Sequence, residues 1–190
     1  MKRTEIVFLL DRSGSMRGLE SDTIGGFNSF VERQSKLEGR TKLTTVLFDD
    51  ECEILWNGVD AKEFKLTEKE YYVRGTTALL DAVGQTILLV SNRISSLGTE
   101  EPDNVIFVIT TDGQENASME FTYKAVNELI NKKRNLGWEF IFMGANIDAA
   151  EEAGHLGISV ENAYQFEATE DGVEQMYRQV IESVTEKRMK

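Results

Sequence analysis

Two stretches of the chain, IVFLL (6–10) and NVIFVITT (104–111), are apolar along almost their whole length, and each leads into an aspartate, Asp11 and Asp112. A strand that shows one face to water alternates polar and apolar residues, whereas a run without alternation has to be covered on both faces. Helical patterns that would supply the cover lie between and after the two runs. Ile24, Phe27, Phe30 and Val31 fall on one helical face, as do Leu80, Val83, Ile87, Ile94 and Leu97. A third helix is predicted over roughly Met119 to Leu136, and the clearest stripe of all is Val173, Met176, Tyr177, Val180, Ile181 and Val184.

Shorter strands are predicted at LTTVLF (43–48), CEILW (52–56), WEFIFMG (138–144) and AYQF (163–166), with a short helix at Ala149–Ala153. The first two are joined by the acidic turn DDE (49–51), and CEILW alternates as an edge strand of a hairpin does. A polar segment, Asn57 to Gly75, follows. Gly39 and Gly137 sit just past helical stretches, and Ser118 is placed to cap the third helix. Strands alternating with helices in this way predict an α/β fold. We expect a doubly wound, mostly parallel central sheet of about six strands, with helices on both faces and one antiparallel edge strand. No internal repeat, low-complexity tract or linker interrupts residues 1–190, which read as a single domain.

Net charge narrows the partners. At −12, with Lys and Arg scattered, the chain has no broad basic surface for nucleic acid or for an anionic membrane. Its one cysteine, Cys52, cannot form an internal disulfide, and no apolar run approaches the roughly 18 residues of a membrane helix. Met1-Lys2-Arg3 before an apolar run mimics a signal peptide, but the run is short and Asp11 ends it. A cytoplasmic protein is expected.

In doubly wound sheets, ligands bind beyond the carboxyl ends of the strands, where strand order reverses. The loop after the first run carries Asp11, Ser13 and Ser15 at alternating positions, with Gly14 and Gly18 relaxing the backbone. Oxygen donors with little charge suit Mg²⁺ or Mn²⁺, which keep part of their water, better than zinc. On this segment alone, helix capping explains the same residues equally well. Asp112 at the second strand end, and Thr76 and Thr77 directly after Gly75, add further oxygens.

DRSGSM (11–16), RGTTALLDAV (74–83) and VITTDGQEN (108–116), in this order on an α/β pattern, resemble the three segments of the metal-ion-dependent adhesion site (MIDAS) of von Willebrand factor type A domains. The resemblance covers essentially the whole chain. DRSGSM and GWEFIFMGANIDA (137–149) are similar to stand-alone bacterial and phage intracellular members. It implies metal ligands Asp11, Ser13, Ser15, Thr76 and Asp112; Thr76 is preferred to Thr77 because the family's ligand threonine directly follows the glycine. It also implies a Mg²⁺ or Mn²⁺ cofactor and an open coordination position that accepts an Asp or Glu from a partner protein. The alternative is a scaffold domain with an unused metal site, serving a larger assembly or an ATPase.

Enzyme readings fare worse. A phosphatase of the haloacid dehalogenase type needs a second acid two residues after its nucleophile, where this chain has Ser13. No G-x-S-x-G or phosphate-binding glycine loop is present, and the single histidine, His155, reads as a helix-end residue. Glu115 and Asn116 are expected at the rim of the site or simply as polar loop residues. Asn146 and Asp148 lie on the same sheet edge, with Asp148 as a helix cap. Asp49, Asp50 and Glu51 read as turn residues, and Tyr71 and Tyr72 as partly buried.

Overall fold

A computed structural model describes residues 2–190; Met1 lies outside the described residues. The first apolar run becomes β1 (Arg3–Asp11), which is buried along nearly its entire length because it has a parallel neighbour on each side and a helical layer on each face. The chain continues through α1 (Glu20–Ser35), β2 (Arg40–Phe48), β3 (Cys52–Asp60), α2 (Leu79–Ser95) and β4 (Asn104–Thr111). It finishes with α3 (Tyr123–Arg134), β5 (Glu139–Gly144), α4 (Ala149–Leu156), β6 (Ala163–Gln165) and α5 (Glu170–Met189). The sheet order is β3-β2-β1-β4-β5-β6, parallel throughout except for the antiparallel β2–β3 pair. This is the doubly wound α/β sheet, with one antiparallel edge strand, that the patterning predicts.

Alternate residues of β1 divide between two cores. Ile6, Phe8 and Leu10 join the cluster under α1 and α5, while Val7 and Leu9 join the one under α2, α3 and α4. Phe8 meets Phe27 and Phe30 edge-on, with ring centroids 5.3 and 5.2 Å away, and stacks on Tyr177 of α5. Fully burying each such ring contributes about 1.5–3 kcal/mol. A Cβ on Gly26 would lie 2.2 Å from the Tyr177 ring, so the close crossing of α1 and α5 requires glycine there.

The differences from expectation have local causes. The third helix begins at Tyr123, four residues later than predicted, because Thr122 caps it by accepting from the Ala125 N–H. Ser118 instead accepts from the Asp81 N–H in the first turn of α2. Strand β3 runs on to Asp60, since Val59 and Asp60 still pair with Leu43 and Lys42. Helix α2 stops at Ser95, leaving Leu97 exposed.

Connectivity singles out one place. From β1 the chain winds outward to β2 and β3, then returns to β4 on the opposite side of β1. The loops leaving β1 and β4 therefore part company at their carboxyl ends, opening the crevice in which such sheets bind ligands. Among the described residues, no helix is long and apolar enough to cross a membrane.

Candidate metal centre

Asp11 is the last residue of β1, and Asp112 follows the last residue of β4. Because the two strands are neighbours, the carboxylates converge. Asp11 uses both oxygens inside the protein: Oδ1 accepts from the Ser13 N–H at 2.7 Å, and Oδ2 accepts from Thr111 Oγ1 at 2.7 Å and the Asp112 N–H at 3.3 Å. Ser15 Oγ donates to Asp112 Oδ1 at 2.7 Å, and the Ser13 and Ser15 hydroxyls lie 3.3 Å apart. Asp112 Oδ2 is buried and has no hydrogen-bond partner.

An orphaned carboxylate oxygen is costly in a protein interior and calls for a cation or a proton. Burial pushes Asp11 upward, against the hydrogen bonds from Ser13, Thr111 and the Asp112 backbone. Burial, reinforced by the neighbouring charge of Asp11 and resisted by the Ser15 hydroxyl, raises Asp112 to about 6. Asp11, Ser13 and Asp112 are nearly inaccessible, whereas Ser15 is exposed, so the cluster opens to solvent on the Ser15 side.

The second loop contributes its threonine differently from the expectation. Thr76 is exposed, and its N–H is held by Asp50 Oδ1 at 3.3 Å. Thr77 is buried, and its Oγ1 and Ser15 Oγ both lie 3.8 Å from the position a Cβ on Gly113 would occupy. The structure therefore brings Asp11, Ser13, Ser15, Asp112 and Thr77 together at the switch point, and leaves Thr76 at the outer edge. The doublet Thr76-Thr77 conceals this: the residue directly after Gly75 pairs its backbone with Asp50, and the next one is buried. With two acids and three hydroxyls, the donor set fits a hard divalent cation that retains water. Among the described residues, no three His, Cys, Asp or Glu side chains group as a metal site, so any ion held here relies on hydroxyl donors.

The three loops are locked to one another from beneath. Arg12 lies between Asp11 and Ser13, so alternation points it away from the oxygens and into the protein, where it is fully buried. Its Nε meets Asp49 Oδ2 at 3.0 Å and its Nη1 meets Glu53 at 2.6 Å. Arg74, just before Gly75, meets the same Asp49 oxygen at 2.7 Å, and the Tyr72 ring lies against both guanidinium groups. Burial works against the Asp49 charge, but the Glu51 N–H, Arg74 and Arg12 outweigh it and hold its carboxyl low. Asp49 is thus the ionic link between the first two loops rather than a simple turn residue. Tyr71 is fully buried and donates to the Asp11 carbonyl at 2.7 Å, and the Gly14 N–H donates to the Gly75 carbonyl at 3.1 Å.

The third loop is clamped to the start of α2. Glu115 accepts from the N–H groups of Leu80, Ala117 and Ser118, and Asn116 Oδ1 accepts from the Thr77 N–H. Asp81 accepts from three successive N–H groups, Met119, Glu120 and Phe121. Asn146, held at a positive φ of 58°, donates its side chain to the Asp112 carbonyl at 3.0 Å. Asp148 caps α4 as expected, accepting from the Glu151 N–H. Cys52 is the first residue of β3, and burial pushes its thiol up to about 11, which leaves it inert.

No protein-family model and no curated protein sequence matches the chain. Solved structures do resemble it. The vWF domain of the type V pili tip protein Mfa5 from Porphyromonas gingivalis superposes with a TM-score of 0.71 at 11% identity, over 97% of this chain and 95% of that one. Proximal thread matrix protein 1 from the mussel byssus, solved with a zinc-occupied MIDAS motif, gives 0.66 at 16% identity over 96% of this chain. Manganese-loaded TRAP of Plasmodium vivax gives 0.60 at 18% identity, over 82% of this chain and 61% of that one. The chain spans less than half the length of the mussel protein, 46% of it. These likenesses establish the fold, which is that of von Willebrand factor type A domains.

Proposed function

We propose that this chain is a metal-dependent protein-interaction module, in which Asp11, Ser13, Ser15, Thr77 and Asp112 hold Mg²⁺ or Mn²⁺ and an Asp or Glu of a partner protein completes the ion's coordination. The observation that carries the reading is the buried, unpartnered Oδ2 of Asp112 beside a cluster of hydroxyls. A divalent ion would supply a Lewis-acidic point with an exchangeable water. The chain's own residues do the rest. Asp11 has its oxygens committed to Ser13, Thr111 and the Asp112 backbone, which fixes its orientation. The hydroxyls add donors without charge, so the ion stays electrophilic enough to attract an external carboxylate. Zinc and manganese in the mussel and Plasmodium structures support a divalent ion on this fold.

Binding rather than catalysis is the better reading of these residues. The Ser13 and Ser15 hydroxyls donate to the Asp112 carboxylate, which this reading assigns to the ion, and the single histidine, His155, lies on α4 beside Glu152. We retain a cytoplasmic setting and a bacterial or phage origin as part of the proposal, on the strength of the sequence resemblance and of a single cysteine, which cannot form an internal disulfide.

Water-proton relaxation with Mn²⁺ tests the open position. Chelator-treated protein should enhance the relaxivity of added Mn²⁺, and a peptide bearing one glutamate should reduce that enhancement by displacing the water, while its glutamine counterpart should not. A scaffold without a working metal site would leave Mn²⁺ relaxivity at its free value.

A further inference from the structure

A small cavity of about 10 Å³ lies behind the metal loop, where α1, α5 and the end of β4 meet. Leu10, Phe166 and Met176 give it apolar walls, and Thr23 of α1, Thr110 of β4 and Tyr177 of α5 place hydroxyl-bearing side chains along it. All three of these polar residues are buried, Thr23 to 1% and Tyr177 to 3% of full exposure.

Two of the hydroxyls are left over when the hydrogen bonds are assigned. Thr23 Oγ1 and the Tyr177 hydroxyl have no hydrogen-bond partner among the described residues. The Tyr177 ring cannot turn to find one. It stacks on Phe8, with ring centroids 6.1 Å apart, and its edge lies so close to the Gly26 backbone that a Cβ there would come within 2.2 Å. A phenol hydroxyl sits on the ring axis, so fixing the ring fixes the oxygen. Thr110 Oγ1 donates to the Leu9 carbonyl at 3.1 Å and keeps lone pairs with which to accept. Two buried donors without acceptors carry a desolvation cost that calls for a partner beyond the side chains.

We propose that this cavity binds one internal water molecule, which accepts from the Tyr177 and Thr23 hydroxyls and donates to Thr110 Oγ1. Three polar partners are the usual complement of a buried water, and about 10 Å³ is the lower limit for holding one. Any larger ligand is excluded by size. The water joins the first and last helices of the chain to the end of β4, the strand that leads into Asp112. The proposal rests on the hydroxyls and the cavity alone and is independent of the metal reading.

The test pairs a crystal structure of the whole chain, at a resolution that shows ordered water, with thermal unfolding of two variants. Density for one water within hydrogen-bond distance of both the Tyr177 hydroxyl and Thr23 Oγ1 is expected. A cavity without density, or a direct hydrogen bond from either hydroxyl to the protein, would overturn the proposal. In solution, Tyr177→Phe should lower the thermal midpoint by about 2–4 °C, the loss of one net hydrogen bond in a domain of this size. An unbonded hydroxyl gives the opposite sign, because removing it relieves a desolvation cost, so an unchanged or raised midpoint would also overturn the proposal. Thr23→Val should lower the midpoint less in the Tyr177→Phe background than in the parent, since the two hydroxyls share one water. Equal losses in both backgrounds would contradict the sharing.

Discussion

Ser15 and Asp112, ninety-seven residues apart, share a hydrogen bond of 2.7 Å across the switch point of the sheet, and the second oxygen of that carboxylate is left without a partner. The arrangement arises because Asp11 and Asp112 end neighbouring parallel strands whose loops leave in opposite directions. A metal bound here would join two halves of the sheet that the chain visits at different times.

The choice between the paired threonines is directly testable. Thr77→Ala should weaken Mn²⁺ binding by roughly five-fold, the cost of one neutral oxygen contact, whereas Thr76→Ala should leave it unchanged. Isothermal titration of both variants separates the two positions. Equal losses would mean that the loop rearranges on binding.

The ionic link beneath the loops should matter chiefly for stability. Asp49→Ala leaves Arg12 buried opposite nothing but Glu53, and removing one partner of a buried pair costs about 3–5 kcal/mol. Chemical denaturation should show this loss. Glu51→Ala, which removes only an exposed partner of Arg74, should cost about 1 kcal/mol or less.

Much of this was legible in the sequence, and the rest was hidden for definable reasons. Unbroken apolarity in 6–10 and 104–111 marked the central strands, and the stripe from Val173 to Val184 marked α5, because burial on both faces and on one face leave different periodicities. The convergence of Asp11 and Asp112 followed from their places at strand ends. Arg12 was invisible because a buried arginine has no pattern of its own; its only trace was its position between two outward-facing oxygens, with an acidic turn to receive it. Asp81 carries no signal in the sequence, yet it gathers three backbone N–H groups from a loop distant in sequence, and Glu115, legible only as a rim or loop residue, ties that loop to the Leu80 N–H of α2. Ser118 reads as a cap of the following helix because capping chemistry is local, but the N–H it accepts from belongs to Asp81 of α2.

Metal-free protein should show a distinctive pH dependence. Asp112 is raised to about 6, whereas an unfolded aspartate titrates near about 3.9, so the folded state holds this proton more tightly. The resulting stability is complete below the unfolded value and is lost as pH rises through about 6. Asp49, held low, acts in the opposite sense: its contribution is present above the unfolded value and is lost as pH falls through its lowered folded value. Asp11 and Glu5, also pushed up by burial, act in the same sense, so the Asp112→Asn comparison isolates the Asp112 share between about 4 and about 6. In EDTA, the difference between the parent and Asp112→Asn in thermal midpoint should change across that interval; a constant difference would contradict the assignment.

The third loop depends on a close packing contact. A Cβ on Gly84 would lie 2.4 Å from the Phe121 ring, which α2 uses to seat the loop. Gly84→Ala should destabilise the fold by about 1–3 kcal/mol through overpacking, even though alanine favours the helix itself. Denaturation of this variant, compared with Gly154→Ala, where nothing lies within 4 Å, measures the contact.

The most direct test of the metal-site account is thermal unfolding of chelator-treated protein with and without millimolar Mg²⁺ or Mn²⁺, in the parent and in Asp112→Asn. An ion that binds only the folded chain adds about 2.7 kcal/mol at a hundred times its dissociation constant, a rise of roughly 5–10 °C for a domain of this size. The account predicts that rise in the parent and its loss in Asp112→Asn. No rise in the parent, or the same rise in both proteins, would contradict it.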